Sequence, residues 1–394
     1  MNRKARNVIM PPLPKRFSEL IALISVSTTI FLFLHTQSLT ARIEEIQGDL
    51  TAAASAAGSS AHENQQPIQA EDATQNQVKG KSPQGFQTRR TNVRYNVTAL
   101  NNTRNAVKET LFFNRVPKVG SQTIMDLMQR LASLNNFQFH RDGTQKGIIS
   151  AFKNIFHSRL TTMIDMFTPP STYVKHTCFS NFTRHGYPMP IYMNFVRDPI
   201  ERVISWFYYI RAPWYIVERK QAFPELPLPA PFWLKKDFEL CVRSGDRECL
   251  FIPGEYHDGV GDHRRQAMFF CGHDERCVEF NGEWAVQQAK RHVEENYAVV
   301  GVLEEMDITL QVLEGYIPRF FKGAPQVYYD NIQYMKRINK NIYKPPVSQE
   351  VKDILRQNFT REIEFYEFCK QRLYNQYNAL LQLREDEQRL QQQE

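Results

Sequence analysis

No Walker A loop occurs in this chain of 394 residues: no Gly-x4-Gly-Lys-Ser/Thr pattern is present, and the one Gly-Lys-Ser (Gly80–Ser82) has Gln75 where the first glycine belongs. That counts against phosphoryl transfer by a P-loop kinase. Cysteine is scarce too, with six in all and no Cys-x2–4-Cys pair, so a structural zinc site lacks its usual spacing. Zinc-finger and RNA-recognition signatures are missing, and no metal-ligand constellation stands out. Neither sign of charge dominates: 49 Lys and Arg face 42 Asp and Glu, a net +7. Such a balance suits anionic ligands without choosing between nucleic acid and carboxylated or sulfated glycans. Long apolar runs are limited to Leu20–Leu34.

That run reaches about 18 residues if Phe17–Glu19 are counted, near the lower limit for a membrane span. Arg3, Lys4, Arg6, Lys15 and Arg16 precede it and hold the N-terminus in the cytosol. A cleaved signal peptide is the rival, but no small-x-small site follows Leu34. The expectation is a cytosolic tail over 1–16, a signal anchor over 17–34 and a lumenal stem over 35–108. The stem is Ala-, Gln-, Ser-, Asn- and Thr-rich and buries too little apolar surface to order most of its length. A globular domain is expected over 109–378 and a polar helical tail over 379–394.

The globular part is organised around Leu111-Phe-Phe-Asn-Arg-Val-Pro-Lys-Val-Gly-Ser-Gln-Thr123. Thr110–Val116 reads as a strand. Pro117 and Gly120 force a turn, and Ser121–Leu134 carries Ile124, Leu127, Met128 and Leu131 at helical spacing. A helix N-terminus behind a tight loop presents N–H groups and a positive dipole end to an anion. Arg115 and Lys118 add cations; Ser121 and Thr123 add hydroxyls. An ordinary strand–turn–helix connection fits this stretch equally well, so a second element is needed. Ile191–Arg197 supplies it, an apolar strand ending in an arginine placed to fork onto a phosphate. Pro199 then starts a helix that carries Ser205.

Strands and helices alternate from there: Thr172–Cys178 (strand), Pro199–Ile210 (helix), Glu283–Tyr297 (helix), Ala298–Glu304 (strand), Met306–Phe321 (helix). The order predicts an α/β domain around a mainly parallel sheet. Ligands of such sheets lie beyond the strands' carboxyl ends, where Arg115, Arg197 and Glu304 fall. Residues 211–235, rich in Pro, Trp and Phe, read as a long loop. Val351, Leu355, Phe359, Ile363 and Tyr366 begin a helical C-terminal piece.

Together the two loop elements resemble the nucleotide-binding segments of sulfotransferases that use 3'-phosphoadenosine 5'-phosphosulfate (PAPS). The closer resemblance, over Leu111–Leu373, is to the Golgi uronyl and heparan sulfate 2-O-sulfotransferases, and within them to the insect Pipe-like branch. It rests on Arg115-Val-Pro-Lys118, Gly120-Ser121, Lys175-His176, Arg197-Asp-Pro-Ile-Glu-Arg202, Ser205, Phe270-Cys-Gly-His273, Trp284-Ala285, Val300-Gly-Val302, Glu304-Glu305 and Phe320-Phe-Lys-Gly323. The resemblance implies a P-loop-like fold, PAPS as donor, no metal, a glycan acceptor and a homotrimer. It implies that Lys118, Gly120, Ser121, Gln122 and Thr123 hold the 5'-phosphosulfate, that Arg115 holds either the phosphosulfate or the acceptor carboxylate, and that Arg197 and Ser205 hold the 3'-phosphate. Lys336 and Arg337 fall in the segment that closes over the nucleotide. His176 takes the general-base position, a role imidazole fills most often. A nucleotide kinase and a catalytically inactive glycan-binding protein of the same fold stay open as alternatives.

The chain departs from that pattern on the acceptor side. Where the heparan and dermatan enzymes carry Arg-Phe-Gly-Asp, it reads Arg211-Ala-Pro-Trp214, and Val174 replaces a histidine two residues before the base. Loss of a polar pair and gain of an indole that stacks on a sugar face lead to the expectation that ordinary heparan sulfate is a poor substrate. Arg211 and Trp214 are assigned to that side. Cys241/Cys249 and Cys271/Cys277 each enclose a short polar loop, which suits local disulfides in an oxidising lumen, with zinc the rival; the resembling family carries the same two pairs. Cys178 and Cys369 read as buried thiols. Sequons at Asn96, Asn101, Asn181 and Asn358 fit lumenal exposure.

Overall fold

Five parallel strands, β1 (Thr110–Phe113), β2 (Gln138–Arg141), β3 (Ser171–Val174), β4 (Ile191–Val196) and β5 (Tyr297–Val302), form one sheet in the order β2-β3-β1-β4-β5. The computed structural model describes residues 94–143, 154–255, 264–338 and 344–393. The expected tail 1–16, anchor 17–34 and most of the stem lie outside these. Among the described residues no helix is long and apolar enough to cross a membrane. Helices of ten residues or more are α1 (Ser121–Leu134), α2 (Asn154–Asp165), α3 (Pro199–Tyr209), α4 (Pro213–Ala222), α5 (Glu283–Asn296), α6 (Met306–Tyr316), α7 (Gln349–Asn358) and α8 (Thr360–Gln391).

β1, β3, β4 and β5 are buried along their whole length. A parallel sheet covered on both faces favours near-continuous apolar strands, as in β1, β4 and β5, while β3 is Ser-Thr-Tyr-Val. Phe112 pairs with Tyr173 on one side and Tyr192 on the other, with ring centroids 6.0 and 5.3 Å apart. Gly301 in β5 leaves no room for a side chain, since a Cβ there would lie 2.5 Å from both Phe195 and Thr309. From β1 the chain runs outward to edge strand β2, whereas from β4 it runs the other way to β5. β1 and β4 are neighbours, so their carboxyl ends open the crevice where the winding reverses.

Several expectations are corrected. Strands end one to four residues earlier than read, because Arg115, His176, Arg197 and Glu304 belong to the loops beyond the sheet. Edge strand β2 went unread because its sequence Gln-Phe-His-Arg is polar and half-exposed. The expected loop 211–235 contains α4, which Pro213 initiates at its first turn. Pro318 splits Met306–Phe321 into α6 and a short turn. The last part of the expected stem is docked: Asn102 donates to the carbonyls of Glu294 and Tyr297 at 2.7 and 2.9 Å, and Leu100 O accepts from Gln376 at 3.1 Å. The domain therefore begins ahead of residue 109. The expected tail 379–394 continues α8 as far as Gln391.

α3 packs over a second, smaller core. Ile200, Val203, Ile204 and Phe207 meet Phe238, Phe251, Phe280, Val351 and Phe359 there, around the Cys241–Cys249 disulfide. The helix that follows Arg197 is thus packed against α7, α8 and a disulfide-stapled subdomain.

Candidate functional site

β1 leaves the sheet through a buried amide network. Asn114 Nδ2 donates to Phe269 O at 3.1 Å, and its Oδ1 accepts from Tyr297 Oη at 3.0 Å. Asn194, one strand over, donates to Asn114 O at 2.7 Å, and its Oδ1 accepts from Val116 N at 3.2 Å. Two buried asparagines thereby fix where the loop departs. Lys118 (φ +65°) and Gly120 (φ +77°) then both take the left-handed conformation. A lysine held there is uncommon and marks imposed geometry. Gly120 precedes the first turn of α1 without a side-chain cap, leaving the amides of that turn for a ligand.

Two arginines from the second element brace the loop from outside. Arg202, 1% exposed, donates through Nε to Pro117 O at 2.9 Å. Arg197 Nη1 donates to Lys118 O at 3.3 Å. Asp198 caps α3 by accepting from Ile200 N and Glu201 N at 2.9 and 3.0 Å, which sets Arg197 at the strand end. The Arg197 guanidinium lies 3.8 Å from each of Glu201 and Glu304. Its Nε is buried without a hydrogen-bond partner, as is that of Arg115. Two buried guanidinium donors on these neighbouring loops fit a polyanion. Glu201 also pairs with Lys344 and Lys352 at 3.0 and 2.7 Å. Burial works against its charge, but the two lysines prevail and hold its carboxyl at about 2. Ser205 lies one turn beyond Glu201, on the same side of α3.

Lys118 Nζ sits 3.6 Å above the ring of Tyr209. Burial, together with the charges of Arg197 and Lys344, lowers its ammonium to about 7. His176 Nδ1 donates to Arg115 O at 2.9 Å, since a carbonyl can only accept. In the neutral ring Nε2 then carries the lone pair, the arrangement a general base requires. Burial and the Arg115 cation push the imidazole down to about 3, against the pull of the Arg115 carbonyl. The neighbouring Lys175 pairs with Asp142 at the end of β2. Among the described residues no group of three His, Cys, Asp or Glu side chains is arranged to hold a metal.

Residues 101–369 match the sequence model of the sulfotransferase family. The chain belongs to that family. It is 48% identical over 289 residues to the uronyl 2-sulfotransferase homolog Pip of Drosophila melanogaster, covering 71% of this chain and 55% of that protein. It is 31% identical over 270 residues to heparan sulfate 2-O-sulfotransferase 1 of Xenopus laevis, covering 66% of this chain and 69% of that one, and 29% identical to the Homo sapiens protein of the same name. The chain thus spans about half the length of the fly relative and about two thirds of the vertebrate ones.

The expected residues fall into three groups. Arg115, Lys118, Gly120, Ser121, His176 and Arg197 lie on the linked loops just described. Gln122 is exposed, and Thr123 is buried with its hydroxyl donating to Met335 O at 3.4 Å. Lys336 and Arg337 are in the short helix Ile332–Ile338, so Thr123 ties α1 to that helix; their side chains lie outside the described residues. Arg211 and Trp214 part company. The Arg211 guanidinium lies between Phe207 and Trp233 and donates to Phe207 O, Trp233 O and Glu248 at 2.9, 3.1 and 2.5 Å. It rivets the α3–α4 junction. Trp214 is 46% exposed, its ring 5.0 Å from Tyr209.

Both expected disulfides are present, Cys241–Cys249 and Cys271–Cys277, each with Cα atoms 5.7 Å apart. Cys178 and Cys369 are buried free thiols. Asn101 and Asn181 each cap a 3-10 turn and bond the threonine of their own sequon, Asn96 is exposed, and Asn358 ends α7. Sequence reasoning missed Asn114, Asn194 and Tyr209. Glu201 and Arg202 had a signal, standing four and five residues after Arg197 in the matched segment.

Proposed function

We propose that this protein transfers the sulfuryl group of PAPS to a hydroxyl of a glycan, the 2-position of a uronic acid. The observation that carries the reading is the convergence of Lys118, Arg197 and the Gly120-led start of α1 on one crevice, with His176 tied to the same loop. When bound, PAPS supplies the sulfuryl group and departs as 3'-phosphoadenosine 5'-phosphate. The α1 amides, Lys118 and Arg115 hold the 5' side; Arg197 and Ser205 hold the 3'-phosphate. His176 Nε2 takes the proton of the acceptor hydroxyl while the Arg115 carbonyl keeps the ring oriented. Burial is the main cause of its lowered basicity, and the smaller share due to the Arg115 cation is relieved once Arg115 faces phosphate. Positioning and preorganised charge do the rest.

The reading extends to location. The basic flank before Leu20–Leu34, the two disulfides and the sequons support a single-pass type II protein of the Golgi membrane with its domain in the lumen. Labelled PAPS offered with desulfated heparan, dermatan and chondroitin chains tests the activity. Label transferred to the 2-position of a uronic acid is the expected result. Transfer from ATP instead, or PAPS binding with no turnover on any glycan, would overturn it.

A further inference from the structure

The aromatic cluster at the α3–α4 junction is not used by the nucleotide chemistry. Tyr209 ends α3, and its ring carries Lys118 Nζ at 3.6 Å. Trp214 meets Tyr209 edge-on with ring centroids 5.0 Å apart, and Tyr215 lies 4.8 Å from Tyr209. The junction is rigid, because Arg211 is bonded to the carbonyls of Phe207 and Trp233 and to Glu248. An indole 46% exposed is therefore held in place against the ring that carries Lys118. Arg115 and Arg219 lie within electrostatic reach of the Tyr209 hydroxyl, as does one carboxylate, Glu218.

We propose that Trp214, Tyr209 and Tyr215 form a stacking platform for a carboxylated pyranose ring of the acceptor, and that Tyr209 is a positioning residue linking that platform to Lys118. The proposal rests on the sulfotransferase reading above. A pyranose offers an apolar C–H face that a fixed indole covers, and the nearby arginines suit its carboxylate. The Tyr209 ring serves both partners: one side seats the ammonium by a cation–π contact, and its edge supports Trp214. A sugar settling on Trp214 thus restricts the ring that holds the lysine, so acceptor docking and lysine placement are coupled.

The test measures binding of 3'-phosphoadenosine 5'-phosphate to the full chain, then of desulfated chondroitin, dermatan and heparan oligosaccharides to that complex, together with turnover. Trp214→Ala should weaken glycan binding and raise the glycan KM about tenfold, leaving nucleotide affinity within twofold and thermal stability unchanged. Tyr209→Leu should lower kcat as well as glycan affinity, and Tyr209→Phe, which keeps the ring, should restore both. Failure of the nucleotide to bind the unaltered protein would sink the sulfotransferase reading itself. Nucleotide binding without any uronic-acid chain binding would overturn the uronic-acid reading and the platform together, whereas turnover with glycan affinity unchanged in Trp214→Ala would overturn the platform alone. Equal loss in Tyr209→Phe and Tyr209→Leu would overturn the ring-to-lysine link.

Discussion

Nucleotide binding should draw a proton onto Lys118. With its ammonium lowered to about 7 by burial and by the Arg197 and Lys344 charges, the lysine is about one-tenth protonated at pH 8 in the free protein. A bound phosphate returns the pKa toward the ordinary lysine range, because an opposite charge favours the ammonium. Binding at pH 8 therefore takes up about 0.9 proton, and at pH 5.5 close to none. From pH 7 to pH 9 the protonated fraction of the free lysine falls from about one half to about one hundredth. Affinity should fall about fifty-fold over that interval, about 2.3 kcal/mol. The ligand's own phosphates contribute little to the slope, since their second ionisation lies near pH 6. Calorimetric titration with 3'-phosphoadenosine 5'-phosphate in buffers of differing ionisation enthalpy reads the uptake directly. Lys118→Met should bind more weakly and show neither uptake nor slope. Affinity that is flat between pH 7 and 9, with buffer-independent heats, would refute the lowered lysine.

Three other outcomes are expected. His176→Ala should retain nucleotide affinity and lose roughly 10²–10⁴ in single-turnover rate; a rate within threefold of the unaltered protein would remove it as the base. Arg197→Ala should weaken nucleotide binding by about 1.5–3 kcal/mol, since a charge-assisted bond and the brace on Lys118 O go together; near-normal affinity by calorimetry would contradict the assignment. Gly301→Ala should lower stability by about 1–3 kcal/mol through overpacking against Phe195 and Thr309, whereas Gly143→Ala, with open space around its Cβ position, should not shift the melting temperature.

The sequence determined the elements whose physics is local. Continuous apolar strands such as Tyr297–Val302 announce burial on both faces, and Pro199 and Gly120 announce a helix start and a loop before one. Arg115, Lys118, His176 and Arg197 were legible because cations at strand ends have little packing role, and because their spacing matches a family pattern. Other features depend on partners far along the chain. Edge strand β2 has too little apolar sequence to announce itself and forms because β3 offers it a ladder. Arg211 and Trp214 sit three residues apart in one segment, yet Glu248 and the Trp233 carbonyl draw the arginine inward while the indole stays half-exposed beside Tyr209. Asn114 and Asn194 are ordinary strand-end amides until β1 and β4 lie side by side, when each satisfies the other's buried groups. The lowered basicity of Lys118 belongs to no stretch of sequence either. It arises because Arg197 and Lys344 arrive from opposite ends of the domain at a site shielded from water.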